Sequence, residues 1–390
     1  MSNYRPKVAF DTNVIAHYRV SFFVELSKYF DLLVIVSDNK VIDGLKDVRE
    51  GLPFKSVRLR EVTETSFIPT SSLYHPNILE TIKDHGTEVI ISFSSSLDRM
   101  MINKKALSYI RLNNIKTIWM GCDGYLSRSS LISLIFEILN PRQTLRILRN
   151  IIALSRVDYF LPYSSHTAKY LQYSRFIPKN KISVAQNTID SKELNTVYKE
   201  IKKNPNTKKD PMRIVFAGRL TPRKKVDVLL KAFAEILKKF PRAKLDIIGG
   251  GSEEVNLKKI AADLKIYSNV DFVGPIYEDR HLAEKLYRSS LFVMPGLGGL
   301  GLNTAMSVAL PIIYTHADGT EEDIMFDTKN GWYFDGSVKD LTAKIEVALS
   351  DPKRLASMGE FSEKLITQKF TIENMAKIYK NAIYKVIEMQ

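Results

Sequence analysis

Short runs of β-branched residues alternate with amphipathic stretches along almost the whole chain, and the series stops once and starts again. Before the stop, Lys7–Phe10, Leu32–Val36, Glu88–Ser92, Lys116–Trp119, Tyr159–Leu161 and Ile182–Ala185 read as strands, and Phe22–Tyr29 reads as a helix. Strands separated by helical patterns make βαβ units, and such units build a parallel sheet covered on both faces. Lys199–Met212 breaks the pattern: it is charged, holds two prolines and lacks apolar periodicity, which reads as an interdomain linker. The alternation resumes with strands at Arg213–Ala217, Leu245–Ile248, Val270–Val273, Leu291–Met294 and Pro311–Tyr314. Helical patterns lie between them at Val226–Lys238, Glu253–Lys265, Asp279–Arg288 and Asn303–Val308. Val338–Leu349, Pro352–Lys369 and Ile372–Ile387 read as terminal helices.

The expected fold is therefore α/β, with two Rossmann-like doubly wound domains facing a cleft. Residues 1–198 form the first domain, 199–212 the linker and 213–370 the second, and the 371–390 helix packs back towards the first. A chain of 390 residues suits two cores better than one. Ligands of such sheets bind beyond the carboxyl ends of the strands.

Composition narrows the function classes. Apolar residues at 45% and charged residues at 26% describe a globular chain. The single cysteine, Cys122, excludes an internal disulfide and a multi-cysteine zinc site, and points to a reducing compartment. Residues 1–12 have no apolar signal region, and no run approaches the ~18 apolar residues of a spanning helix, so a cytoplasmic location is expected. A net charge of +14 calls for an anionic partner. Zinc-finger spacing and an aromatic RNA-binding signature are both missing, so nucleic acid is not that partner. The stretch Arg128–Lys181 concentrates the excess, with nine Lys/Arg against Glu137 and Asp158. Inside it, Ser130–Ser155 is rich in Leu and Ile and carries Arg142, Arg146 and Arg149. Such a segment can lie on an anionic membrane surface, making the protein peripheral on the inner face. A buried helix pair with snorkelling arginines is the other reading.

The chemistry concentrates after the strands of the second half. Ala217–Leu230 runs from a strand through Gly218, Arg219, Arg223, Lys224 and Lys225 into a helix. Cations beside a helix start suit a diphosphate, and a solvated basic turn is the alternative. Val293–Pro311 places Gly296, Gly298, Gly299 and Gly301 before a second helix, leaving backbone N–H groups uncovered. Gly296, Gly298 and Gly301 also fit a dinucleotide fingerprint with Asp318 beyond it. That fingerprint normally follows the first strand of its domain, whereas here it follows the fourth. Leu245–Ser252 is a third glycine turn, and the free backbone of Val270–Gly274 can pair with a nucleobase edge.

Taken together, Gly218–Lys224 (GRLxxxK), Leu245–Gly251 (LxIIGxG), Val270–Gly274 (VxFxG) and Pro295–Pro311 (PGxxGL…AM…P) resemble the donor half of family-4 glycosyltransferases of the GT-B fold, the glycosyl transferases group 1. Asp318–Trp332 and Val184–Asp190 are similar to flanking segments of that family. The resemblance implies a hexosyltransferase that uses a nucleoside-diphosphate sugar, a UDP-sugar for example, and works without metal or other cofactor. It would act on a glycan or lipid-linked glycan in polysaccharide assembly, with retention. By the same resemblance, Arg219 and Lys224 neutralise the diphosphate, Gly218 and Gly250 belong to the donor-binding set, and the Phe272–Val273 backbone holds the base. Gly299, Leu300 and Gly301 meet the distal phosphate and sugar. Two glutamates common in the family are replaced by Gly296 and Thr304, and Lys225 replaces a usual glycine. Thr304 keeps a hydroxyl for a ribose, a weaker acceptor than a carboxylate. The missing carboxylates leave open a non-catalytic nucleotide- or glycan-binding module, and the dinucleotide oxidoreductase remains a third reading. No D-x-D triplet of the metal-dependent type occurs.

The first half is expected to bind the acceptor. Asn13 and Arg19 are the candidate acceptor contacts, and His17 and Asp123 the candidate catalytic groups. His17 also suits a surface or capping role, and Asp123 a turn.

Overall fold

The structure is a computed structural model and describes residues 4–38, 46–62, 73–122 and 141–389. The chain divides into two compact units. The first comprises 1–41, 46–186 and 372–390, and the second 42–45 and 187–371.

The first unit has a six-stranded sheet. Its strands are β1 (Lys7–Asp11), β2 (Asp31–Ser37), β3 (Lys55–Leu59), β4 (Val89–Phe93), β5 (Lys116–Gly121) and β6 (Tyr159–Pro162). They lie in the order β3-β2-β1-β4-β5-β6, all neighbours parallel. Side chains alternate between two cores, as the period of two requires. Val8, Phe10, Val34, Ile91 and Ile118 enter one, while Ala9, Ile35, Ile90 and Trp119 enter the other. The C-terminal helix Ile372–Glu388 belongs to the first of these cores. Its Tyr379 is fully buried, with its ring 4.9 Å from Phe22 and 6.0 Å from Phe10.

The second unit repeats the design with β7 (Arg213–Ala217), β8 (Lys244–Ile248), β9 (Val270–Gly274), β10 (Leu291–Met294), β11 (Ile312–Tyr314) and β12 (Gly331–Tyr333). Its order is β12-β11-β10-β7-β8-β9, again parallel. Both sheets thus follow the doubly wound order in which the first and fourth strands are neighbours. The chain leaves those two strands in opposite directions, which opens a crevice at their carboxyl ends.

Three expectations need correction. Residues 199–212 do not separate the units, because the helix Lys192–Lys203 buries Leu194, Val197, Tyr198 and Ile201 in the second core. Asn195 Nδ2 also donates to the Ser307 carbonyl at 2.8 Å, so the second unit begins at Asn187 and not after the polar run. Ile182–Ala185 forms only an isolated bridge, Ile182 to Phe160, and no strand. Two edge strands, β3 and β12, carried too little apolar patterning to be read: Lys55–Leu59 (KSVRL) alternates weakly, and Gly331–Tyr333 is three residues long.

Candidate functional site

In the second unit the sheet order sets β7 beside β10, so the basic loop after β7 and the glycine loop after β10 meet. Their approach is closer than a side chain permits. A Cβ on Gly296 would stand 2.4 Å from the Arg223 carbonyl oxygen, and the Leu297 N–H donates to that same oxygen at 3.0 Å. The turn after β8 closes on the basic loop from the other side. Gly218 N–H donates to the Ile248 carbonyl and Leu220 N–H to the Gly250 carbonyl, both at 2.9 Å. A Cβ on Gly249 would lie 1.9 Å from the Gly218 carbonyl oxygen. Three of the expected donor segments are therefore one assembly.

Lys224 links two of them. It is buried, and its Nζ donates to the Leu297 carbonyl and, at 3.0 Å, to the Gly298 carbonyl. Its ammonium is pushed down to about 8, first by desolvation and then by the charge of Arg219, with Arg223 adding and Asp318 opposing. A buried cation crowded by cations favours an arriving anion, which restores its charge. Arg219 is half-buried, while Arg223 and Lys225 are exposed. Lys225 adopts φ +51°, the left-handed region, which explains why glycine is the usual residue there. A Cβ on Gly299 would lie 3.9 Å from Lys224 Nζ, which places that glycine in the same pocket of charge. Leu300 and Gly301 lead into the helix Gly301–Ser307, where Thr304 Oγ1 donates to the Leu300 carbonyl at 3.2 Å.

The Gly296 replacement has a steric cause. With Arg223 packed against it, this backbone has no room for a glutamate side chain. Phe272 and Val273 lie on β9, the last strand of its sheet, whose outer edge has no strand beside it among the described residues. The register jumps from Ile247↔Phe272 to Ile248↔Gly274, so Val273 is unmatched in the ladder with β8.

Sequence reading gives the loop after β11 only as a segment similar to the family, Asp318–Trp332, and assigns its side chains no role at the diphosphate. Asp318 sits close enough to raise the affinity of Lys224 for its proton. His316, Glu321 and Glu322 hold their ligand-type atoms within 4.8 Å of one another, the one such group among the described residues. Glu321 is buried, and burial pushes its carboxyl up. Its oxygens already accept the Ala317 N–H at 2.7 Å and the Gly319 N–H at 3.0 Å, so it serves the loop's own backbone. The signal was the consecutive Glu321-Glu322 just past a strand end.

In the first unit His17 and Arg19 share one 3-10 turn. Asn13 Oδ1 accepts from the Tyr74 hydroxyl at 3.3 Å, just beyond β1. Arg19 is held by packing: its guanidinium is 5.6 Å from the Phe22 and Tyr163 ring centroids, and Nη1 is 3.6 Å from Met375 Sδ. His17 is exposed, with its ring edge-on to Tyr18 at 5.2 Å. Asp123 lies outside the described residues. A buried network at the carboxyl ends of β1, β2 and β4 went unread. Asp11 Oδ2 accepts from Ser92 at 2.7 Å and Ser96 at 2.6 Å. Asp11 Oδ1 is 3.5 Å from His75 Nδ1, and His75 Nε2 is 3.0 Å from Ser37 Oγ. In the sequence Asp11 stands out only as part of Asp11–Asn13 after the first strand, without its partners, and His75 falls in a stretch without periodicity.

Of the segment Ser130–Ser155, the part from 130 to 140 lies outside the described residues, and Pro141–Ser155 is a helix. Leu145, Leu148 and Ile152 are 46%, 51% and 48% exposed at i, i+3 and i+7, which makes a half-exposed apolar stripe. Arg146 is exposed and Arg149 half-buried beside it. No helix among the described residues is long and apolar enough to cross a membrane.

Residues 197–365 match the family described as "Glycosyl transferases group 1", the family the motifs resemble. A GDP-mannose-dependent alpha-(1-6)-phosphatidylinositol monomannoside mannosyltransferase of Mycolicibacterium smegmatis is 32% identical over 157 residues, covering 37% of this chain and 41% of that protein. An O-antigen biosynthesis glycosyltransferase of Escherichia coli is 28% identical over 180 residues, covering 46% of this chain and 48% of that protein. The chain thus spans less than half the length of either of these two relatives. Among solved structures, HepE of Anabaena in complex with UDP superposes with a TM-score of 0.69 at 13% identity, covering 97% of this chain and 100% of that one. Sucrose-phosphate synthase of Thermosynechococcus elongatus gives 0.72 at 16% identity, covering 99% and 100%. These likenesses show the fold, which is GT-B.

Proposed function

We propose, from the membership of residues 197–365 in glycosyl transferases group 1, that this chain is a glycosyltransferase moving a hexose from a nucleoside-diphosphate sugar to a glycan or lipid-linked glycan, with retention. The observation that carries the reading is the union of Arg219, Lys224 and the glycine loop at the β7/β10 crevice. The leaving diphosphate needs charge stabilisation as the glycosidic bond breaks, and preorganised cations and backbone N–H groups supply it without reorganisation. Gly218, Gly250 and Gly299 keep those groups bare. The unmatched Val273 and its neighbour Phe272 offer backbone to the base, and Thr304 offers a hydroxyl oxygen to the ribose.

The lipid-linked acceptor rests on the mannosyltransferase relative, and the nucleoside diphosphate on the UDP complex of HepE. Asn13, Arg19, His17 and Asp123 stand as candidates on the acceptor side. In this reading no resident metal takes part, since Glu321 is bound to backbone and the cations do the electrostatic work. The experiment is release of UDP or GDP from UDP- or GDP-hexoses, with and without lipid-linked glycan acceptors, in excess EDTA. Acceptor-dependent release that persists in EDTA is the expected result. Binding without release is the result of the second reading, a non-catalytic module, which the carboxylate-free positions Gly296 and Thr304 favour.

Lys224 makes nucleotide affinity depend on pH. Below about 8 its ammonium is charged and meets the diphosphate, and above that value the free protein loses the proton first. Binding then requires proton uptake, so affinity falls by up to about tenfold per pH unit above that point. Titration calorimetry in buffers of different ionisation enthalpy measures both effects. Lys224→Arg, which keeps its charge, should flatten the profile. A wild-type affinity that stays constant from about pH 7 to 9.5 would contradict the assignment.

Peripheral membrane binding is the accompanying proposal. The stripe Leu145, Leu148 and Ile152 with Arg146 and Arg149 is expected to bring the protein down with anionic vesicles at low salt. Each basic residue near such a surface contributes about 1 kcal/mol, and salt screens it. Changing Arg142, Arg146 and Arg149 to Ala should reduce capture and leave nucleotide binding unchanged. Equal capture by zwitterionic vesicles, or no capture at low salt, would refute it.

A further inference from the structure

We propose that the second unit carries another ligand site, at the amino ends of its strands, for a small anion with an apolar body. The cavity there has a volume of about 320 Å³. Pro211 precedes β7, Ser290 precedes β10 and Pro311 precedes β11, and all three line it. The loops that meet Lys224 lie at the opposite, carboxyl ends of the same strands. The volume falls within the range of small-molecule pockets.

Its walls and charges specify the ligand. Tyr198 and Tyr287 contribute rings 6.0 Å apart and inclined by 51°, a V-shaped aromatic wall completed by Pro352 and Leu355. Lys202 Nζ lies 5.8 Å from the Tyr198 ring centroid and Lys209 Nζ 5.6 Å from that of Tyr287. Among the described residues neither ammonium meets a carboxylate at salt-bridge distance, although their neighbours do: Lys199 pairs with Glu363, and Arg280 with Glu200. Lys209 is exposed as a residue, yet desolvation first and the charge of Lys202 second hold its ammonium below the ordinary lysine range. Two like charges brought to one cavity, with no described carboxylate at salt-bridge distance of either, favour an anion between them. The only carboxylate in the lining, Glu360, acts on the Tyr198 hydroxyl, which burial, Glu363, Tyr287 and Glu360 together raise. A ring or short alkyl body would fill the proline and tyrosine wall, with its phosphate or carboxylate at the two lysines. Ion pairing with the ammoniums and apolar burial act on different parts of that ligand, so neither a bare anion nor a bare ring satisfies the site.

The test uses the full chain and three probes, phenyl phosphate, inorganic phosphate and benzyl alcohol, followed by NMR or calorimetric titration. Saturable phenyl phosphate binding, at least about tenfold tighter than either control, is expected. It should weaken at least about tenfold in K202Q/K209Q and persist in Lys224→Ala, which separates this cavity from the diphosphate site whether or not that site binds nucleotide. The substituted lysines are exposed, so the variant's fold is expected to hold, and an unchanged circular dichroism melt verifies it. The proposal is overturned if phenyl phosphate does not saturate or if all three probes bind alike. It is equally overturned if Lys224→Ala removes the binding while K202Q/K209Q leaves it intact.

Discussion

Replacing Lys224 by Ala is expected to weaken nucleoside-diphosphate binding by about 1.5–3 kcal/mol, the scale of a hydrogen bond to a charged group. Turnover should fall further, by about 10²–10³, because the interaction strengthens as negative charge develops on the leaving diphosphate. Lys224 is buried and donates to the Leu297 and Gly298 carbonyls, so its loss also loosens the glycine loop. Arg219→Ala removes a half-buried cation beside Lys224, and its effect should lie within the same range. Calorimetric titration of UDP and GDP into both folded variants measures the change. Unchanged affinity in both would remove these residues from the donor site.

The second large effect is expected at Gly249. A methyl there would lie 1.9 Å from the Gly218 carbonyl oxygen, on a residue with φ +138°. The chain must either part the turn after β8 from the basic loop or strain its own backbone. Overpacking costs about 1–3 kcal/mol and backbone strain about as much again, so a loss of roughly 2–6 kcal/mol follows for Gly249→Ala. For a unit of this size that is a fall in Tm of roughly 4–24 °C. Nucleotide binding should weaken with it, since Gly218 is displaced. Gly250→Ala is the control: its nearest neighbour would be Pro275 Cδ at 3.7 Å, an ordinary contact. Equal melting of the two variants would show that the close approach carries no weight.

The sequence made the frame legible because the frame depends on periodicity. Val8, Ala9 and Phe10 alternate between two cores, and a strand buried on both faces reads as a continuous apolar run. The donor segments were legible for a related reason. Glycines at strand ends are required by backbone contact, as Gly249 and Gly296 demonstrate, and cations beside them are not dictated by packing. Their meeting was not legible, because β7 and β10 are neighbours only through the sheet order. The unit boundary was misread since Lys199–Met212 is polar, whereas Leu194, Val197 and Tyr198 just before it carry the packing that decides membership. Two edge strands escaped for separate reasons: β3 is half-exposed and needs few apolar residues, and β12 is only three residues long. Asp11 and His75 escaped for a different reason. A buried polar pair has no sequence period, and Ser37, Ser92 and Ser96, which surround it, are among the least distinctive residues in a chain.

The Lys225 and Gly296 positions connect backbone to function. At Lys225 a non-glycine residue holds a left-handed turn, and at Gly296 the approach of Arg223 excludes any side chain. In the proposed mechanism this moves the electrostatic load from carboxylates on the sugar and ribose to the cations and amides on the diphosphate.

The most direct test is nucleoside-diphosphate release from UDP- and GDP-hexoses, measured with lipid-linked glycan acceptors in wild type and in Lys224→Ala. The account predicts release that requires an acceptor, continues in excess EDTA, and falls about 10²–10³ in the variant. Tight nucleotide binding with no release for any acceptor, or release that Lys224→Ala leaves untouched, would contradict it.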